Sequence, residues 1–318
     1  MEWSGYMDVK AKVGTMSDAS RYIYGPFIHA PPSHPDTILT AIKYIEAFVQ
    51  SHGQKNLHLV VDMQLYKVAI QIKWADPLRW QHLLVRPGGM HTLMSFLGCI
   101  GNLMKGSGLE EILNVAYKGV SSMLNGKSWP KALRGLRMVA TALLKDYLKA
   151  GKDSYSEISS ELESARSSTT GRLWVDCFIY PVVLAHMFVR AEREANYMLH
   201  MYCLTHMIPY FFAAGHWNYA RYITWHVMEF QTQLSDEALR IFHMGHHVCR
   251  HRKGHWNAVF ADQFGEQTCI RQGKEKGGLV GLTLSQEQVC RWILSYHLCN
   301  AVSLSMDDMF HDQDDDEY

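Results

Sequence analysis

The feature that most constrains the fold is a strand–helix–strand pattern near the start of the chain. Residues 56–62, NLHLVVD, form a β-rich run that ends on an acid, and residues 82–89, HLLVRPGG, predict a second strand that enters a turn. Between them, residues 64–74, QLYKVAIQIKW, have the length of a crossover helix. Because a helix separates the strands, we expect them to lie side by side and parallel in one small sheet.

Helix-length segments with regular apolar spacing surround this pattern. Residues 36–52 and 90–104 predict helices on either side of it. From about residue 108 the pattern is helical, and the Ser-rich stretch 152–171 is predicted to be an exposed linker or a mobile helix. We therefore expect an α/β fold that is predominantly α-helical, with an all-α fold as the alternative.

The charge distribution separates an acidic C-terminus from a basic body. The chain has 31 Lys and Arg and 31 Asp and Glu, but its last thirteen residues, MDDMFHDQDDDEY, hold seven of the acids and no base. The body therefore has 31 bases against 24 acids. This balance would suit a modest anionic partner, but a solvated basic face is the favoured interpretation.

Cysteine usage and hydropathy predict an intracellular location, which includes the nucleus. The seven cysteines are odd in number and contain no C-x-x-C pair, which favours reduced thiols. The start MEWSGYMDVKAKVG has no apolar core of signal-peptide length. Residues 173–189 and 201–215 are apolar but either interrupted or too short to span a bilayer, so we interpret them as buried helices and expect no membrane partner.

Two enzyme classes lack their motifs. NGKS, residues 125–128, ends like a P-loop, but Ser121 stands where the first glycine belongs and no strand precedes it. A G-x-S-x-G nucleophile elbow does not occur, which argues against a serine hydrolase.

A histidine-rich run, HMGHHVCRHRKGH, covers residues 243–255 and contains several potential zinc ligands. These are His243, His246, His247, Cys249, His251 and His255. A structural zinc site usually pairs two ligands with a second, distant pair, and no such framework is visible. The run therefore indicates a polar loop that carries Arg250, Arg252 and Lys253.

The stretch KEKGGLVGLT could form a phosphate cradle. Its glycines could turn backbone N–H groups toward an anion, with Lys274 and Lys276 nearby. The candidate cofactor-binding glycines are Gly277, Gly278 and Gly281. A helix end followed by a turn explains the same residues, and that interpretation is favoured.

Carboxylates provide the candidate catalytic chemistry. Two-metal phosphodiester cleavage needs several acids that converge on Mg²⁺ ions, typically from strand ends and a final helix. Asp62 ends the first strand, and Glu266 lies on a late helix with Asp262 one turn before it. The order of these acids is that of an RNase H-like nuclease or transposase, with Asp62 and Glu266 as candidate metal ligands.

Several phrases resemble an uncharacterised, transposon-derived family of animal proteins. They are VVDMQLYKVAIQI, LVRPGGMHTLMSFLGCIGNLMKGSGLEE, FFAAGHWNYARY and ADQFGEQTCIRQGKEKGGLVGLT. The resemblance implies a degenerate RNase H-like core with a large all-α insertion. The core would comprise residues 35–105 and 255–300, and residues 106–254 would be the insertion. Residues 1–34 would then be irregular and residues 301–318 a disordered acidic tail.

On this plan Asp62 would be the second acid and Glu266 the last. No strand with a well-placed acid precedes Asp36, so the triad would be incomplete and any Mg²⁺ site vestigial. His91, after the second strand, would be a candidate ligand or phosphate contact, although a structural role is more common at a helix start.

We therefore expect a protein that binds DNA or RNA without autonomous catalysis; if it were active, it would be a metal-dependent nuclease or transposase. The basic residues expected to contact phosphate are Lys131, Arg134, Arg250, Arg252, Lys253, Arg271, Lys274 and Lys276. The alternative is a helical protein–protein interaction module that uses the acidic tail and the aromatic-rich helices. The sequence does not identify a protein partner.

Overall fold

Helix dominates the residues that the computed structural model describes. They are residues 5–10, 30–148, 155–250 and 255–267, with scattered positions in 18–28 and 271–305. Among them helix accounts for 69% and strand for 6%, which confirms the predominantly helical expectation with a small sheet.

The helices and strands follow one another in this order: α1 Gly5–Lys10, α2 Pro35–Ser51, β1 Leu57–Val61, α3 Met63–Ala75, β2 Leu83–Pro87, α4 Gly89–Leu103, α5 Leu109–Asn114, α6 Val120–Leu124, α7 Trp129–Leu148, α8 Tyr155–Ala165, α9 Thr169–Trp174, a π-helical segment Val175–Ile179, α10 Tyr180–Arg193, α11 Tyr197–Ala213, α12 Trp217–Thr232, α13 Asp236–His243, β3 Cys249–Arg250, β4 Ala258–Val259 and α14 Ala261–Gly265.

The chain divides into two compact units. Unit 1 comprises residues 1–15 and 89–248, and unit 2 comprises residues 16–88 and 249–318. α4 therefore belongs with the helices of unit 1. The domain boundaries expected at residues 105 and 255 stay predictions, and the acidic tail lies outside the described residues from residue 306 onwards.

Unit 2 contains the strand–helix–strand pattern. β1 and β2 pair in parallel, with Leu57 opposite Leu83 and Val61 opposite Pro87. α3 connects the two strands, and both α3 and α2 pack against the sheet region. The expectation of adjacent, parallel strands is confirmed, because the crossover helix returns the chain in the same direction.

A buried carboxylate fixes α2 to the loop before β2. Glu46 accepts two hydrogen bonds from Arg79, over 2.6 and 2.5 Å, and its Oε1 lies 2.7 Å from His82 Nε2. The guanidinium also lies 4.2 Å above the ring of Trp80. The contact with Arg79, followed by that with His82, lowers the pKa of Glu46, although burial opposes the shift.

Unit 1 is built around α4, which packs against α6, α7, α10 and α11. Phe96 of α4 is fully buried and meets Tyr210 and Phe211 edge-on, with ring centroids 5.6 and 5.8 Å apart. Gly101 and Gly126 allow close backbone approaches, since a Cβ at either would overlap the carbonyl oxygen of Leu124 or Met94, respectively.

Three local expectations need correction or comment. Residues Tyr155–Ala165, in the stretch expected to be a linker or a mobile helix, form α8, which packs on α7. Gly5–Lys10 is helical within the segment expected to be irregular. The stretch Thr169–Arg193 is long and apolar enough to cross a membrane by length and composition, but it packs within unit 1 against α4, α7 and α11.

Candidate functional site

The carboxyl ends of β1 and β2 form one edge of the sheet in unit 2. Val61 and Pro87 are the last pair in register. Beyond them the N–H of Gly88 donates to the Val61 carbonyl over 2.7 Å. Asp62 therefore follows β1 at the level at which Gly88 follows β2.

Asp62 is half-buried and caps the N-terminus of α3. Its Oδ1 accepts a hydrogen bond from the N–H of Leu65 over 2.9 Å. The N–H groups in the first turn of a helix have no partner within the helix, and this cap satisfies one of them. Helix capping alone is therefore a sufficient reason for an acid at position 62. A carboxylate has further lone pairs, and the cap leaves capacity for a cation.

Asp262 reaches the same edge from the other end of the sequence. It lies in the first turn of α14, which packs on β1. A Cβ built on Gly88 would lie 2.7 Å from Asp262 Cγ and nearer still to Oδ2. The structure therefore brings Asp62 and Asp262 to one edge. Glu266, the C-cap of α14, is half-buried, and its approach to Asp62 stays a prediction.

Carboxylates at one sheet edge are the hard oxygen ligands that Mg²⁺ prefers. Among the residues that the structure describes, Asp62, Asp262 and Glu266 are not part of any group that brings three potential ligand atoms within 4.8 Å. The edge thus offers two of the acids that two-metal chemistry would use.

His91 belongs to unit 1, whereas Asp62, Asp262 and Glu266 belong to unit 2. His91 is half-buried in the first turn of α4, and its backbone carbonyl accepts a hydrogen bond from the Tyr219 hydroxyl over 3.2 Å. His91 therefore makes a structural contact through its backbone carbonyl.

The predicted phosphate-contacting residues differ in exposure. Lys131 and Arg134 are exposed on α7, and Arg271 is exposed as well. Arg250 is 6% exposed, and burial lowers the pKa of its guanidinium. The remaining candidates lie outside the described residues; they are Arg252, Lys253, Lys274, Lys276, Gly277, Gly278 and Gly281.

The expectation of a polar loop at residues 243–255 is wrong in part. His243 ends α13, and Cys249 and Arg250 form β3. Arg250 pairs in β3 with Ala258 of β4, and its N–H and carbonyl both hydrogen-bond Ser20. His247 is 1% exposed. Tertiary contacts bury both residues, whereas His243 and His246 are exposed as expected.

His247 is part of a cluster that the sequence analysis did not find. Glu192 at the end of α10, His200 in α11 and His247 each offer one ligand atom, and the three atoms lie within 4.8 Å of one another. Glu192 Oε1 and His200 Nδ1 are in hydrogen-bond contact. Glu192 and His200 are each 3% exposed. The available sequence signal was an acid and a histidine eight residues apart, in the stretch between the apolar segments 173–189 and 201–215.

The chain belongs to the family defined by a domain of unknown function, DUF8702, whose model matches residues 2–160 and 145–316. No curated protein and no solved structure matches the chain.

Proposed function

We propose that the chain is a transposon-derived protein that binds nucleic acid in the cell and lacks autonomous catalysis. Unit 2 would be the remnant of an RNase H-like core. The proposal of descent is supported by the parallel β1–α3–β2 arrangement with Asp62 and Asp262 at its carboxyl edge. Any Mg²⁺ at that edge would be held by too few acids to position two ions.

The observation that carries the binding proposal is a basic stripe on α7. Lys131, Arg134 and Lys145 are exposed along this 20-residue helix, while Leu136 and Ala140 are buried on its opposite side. A helix of this length extends about 30 Å, which is several phosphate spacings of a duplex. Each lysine or arginine that neutralises a phosphate releases counterions independently of the others, so no precise constellation is needed.

Fluorescence anisotropy with labelled single- and double-stranded DNA over a range of salt concentrations tests the proposal. The K131A/R134A double variant should bind DNA about tenfold or more weakly than the wild type at about 0.1 M salt. The slope of log K against log salt should become shallower by roughly two.

A matched control removes two other exposed charges of unit 1. Lys105 and Lys118 are exposed outside α7, so the K105A/K118A variant should retain most of the affinity and slope. Equal losses in both double variants would contradict a binding face on α7. Absence of salt-dependent binding in the wild type would contradict nucleic-acid binding and favour the alternative, a helical protein interaction module.

A further inference from the structure

We propose that Glu192, His200 and His247 form a zinc site inside unit 1. This inference is independent of the proposed nucleic-acid binding. All three side chains belong to the same compact unit, and each is at most 3% exposed. Their potential ligand atoms, one carboxylate oxygen and two imidazole nitrogens, lie within 4.8 Å of one another.

A short helix–helix turn brings the first two ligands together. α10 ends at Arg193 and α11 begins at Tyr197, so Glu192 and His200 face each other across the turn. Asn196 caps α11 by accepting the N–H of Leu199 over 3.0 Å. The Glu192–His200 contact therefore depends only on this turn and its two flanking helices, not on a residue from another segment.

The third ligand comes from the segment after α13. The ring centroids of His200 and His247 lie 5.4 Å apart. Aromatic rings enclose the pair, since Phe188 packs on His200 at 5.1 Å and Tyr197 meets His247 edge-on at 5.7 Å. Rotamers held by packing are the support that a ligand set needs to keep its geometry.

The surroundings favour a cation. Glu192 is a buried carboxylate, and its contact with His200 leaves oxygen lone pairs that a cation can take. Two imidazoles and one carboxylate are donors that Zn²⁺ accepts, at about 2.0–2.2 Å from the ion. Tetrahedral ligands at that distance lie about 3.4 Å apart. Ligand atoms within 4.8 Å of one another would therefore close by at most about 1.4 Å, and the hydrogen-bonded Glu192 oxygen and His200 nitrogen would move apart.

Three protein ligands leave a fourth zinc position for water. Cys203 lies one helical turn beyond His200 but is not part of the ligand group. The site would tie the α10–α11 turn to the segment that leaves unit 1.

The test measures zinc in the full-length protein after removal of loosely bound metal with a weak chelator. We expect about one zinc per chain by mass spectrometry. In E192Q the amide can still hydrogen-bond His200 but is a poor metal ligand, so zinc should fall below about 0.2 per chain while helical circular dichroism is retained. The double variant H243Q/H246Q removes exposed histidines of the adjacent run and should keep the zinc.

A wild-type measurement covers the case in which E192Q does not fold. Zinc added back to the metal-free protein, at about a hundredfold excess over the dissociation constant, should raise the melting temperature by about 5 °C or more. Cobalt substitution should give tetrahedral visible bands without a thiolate charge-transfer band. Absence of bound zinc, a thiolate band, or equal zinc loss in H243Q/H246Q would overturn the assignment.

Discussion

The carboxylate of Asp262 lies against Gly88, the residue that immediately follows β2. A Cβ at position 88 would lie 2.7 Å from Asp262 Cγ, and the φ angle of Gly88 is not in the left-handed region. The glycine is therefore required by the close approach of an acid that is 174 residues away in the sequence. Through this contact the two chain segments that make up unit 2 meet at the sheet edge.

Gly88→Ala should destabilise unit 2 by about 1–3 kcal/mol, because the added methyl group overpacks against the carboxylate. Asp262→Ala should recover most of that loss in the double variant, and the coupling should exceed about 1 kcal/mol. Urea unfolding of the wild type, the two single variants and the double variant measures this coupling energy. Gly265→Ala is the control, since a Cβ there meets nothing within 4 Å. Additive single effects would show that the two residues do not touch.

Glu46→Gln should lower stability at neutral pH and weaken its pH dependence in acid. Arg79 and His82 lower the pKa of Glu46 below its ordinary value of 4.5, so the unfolded chain takes up a proton at higher pH than the folded one. The stabilisation is therefore fully present above pH 4.5 and is lost as the pH falls through the folded pKa.

Thermal unfolding of the wild type and Glu46→Gln between pH 3 and 7 tests this prediction: the gap in melting temperature should narrow in acid. Glu163→Gln provides the control, because the Glu163–Arg166 pair is on the surface, with Glu163 68% exposed, and should contribute little at any pH. A constant gap between wild type and Glu46→Gln would refute the assigned role of the charge.

Gly126→Ala should destabilise unit 1 far more than Gly106→Ala. Both glycines have a left-handed φ, of 81° and 75° respectively. A Cβ at Gly126 would also overlap the carbonyl oxygen of Met94, whereas one at Gly106 would meet nothing within 4 Å. We expect Gly106→Ala to lower the free energy of unfolding by about 1 kcal/mol, from backbone strain alone. Gly126→Ala should lower it by about 2–4 kcal/mol, because the clash is added to the strain. Equal losses in denaturant unfolding would contradict the close approach.

Supercoiled plasmid incubated with the protein and Mn²⁺ should remain uncut. The reason is that two-metal chemistry needs every acidic ligand at once, whereas binding tolerates losses. Asp62→Ala and Asp262→Ala serve as controls for contaminating nuclease. Cleavage by the wild type that both substitutions abolish would show that the sheet edge holds a complete set of ligands.

Local sequence patterns determined the elements of unit 2 that carry the proposed RNase H-like core. The runs at residues 56–62 and 82–89 became β1 and β2 within one or two residues, and the crossover length between them determined their parallel pairing. On α7, Leu136 and Ala140 are buried as their helical spacing indicates, and Lys131 and Arg134 are exposed. These features depend on period and length, which neighbouring residues define.

The two groups of neighbouring site residues could be identified only from the tertiary structure. The sequence indicated a carboxylate helix around residues 262–266, but only the packing of α14 on β1 selected Asp262 as the acid at Gly88. Likewise, His247 was one of several histidines in a polar run until the fold buried it beside Glu192 and His200. Neither outcome follows from local periodicity, because each depends on which apolar surfaces pack together and thereby bring polar residues from distant segments into contact.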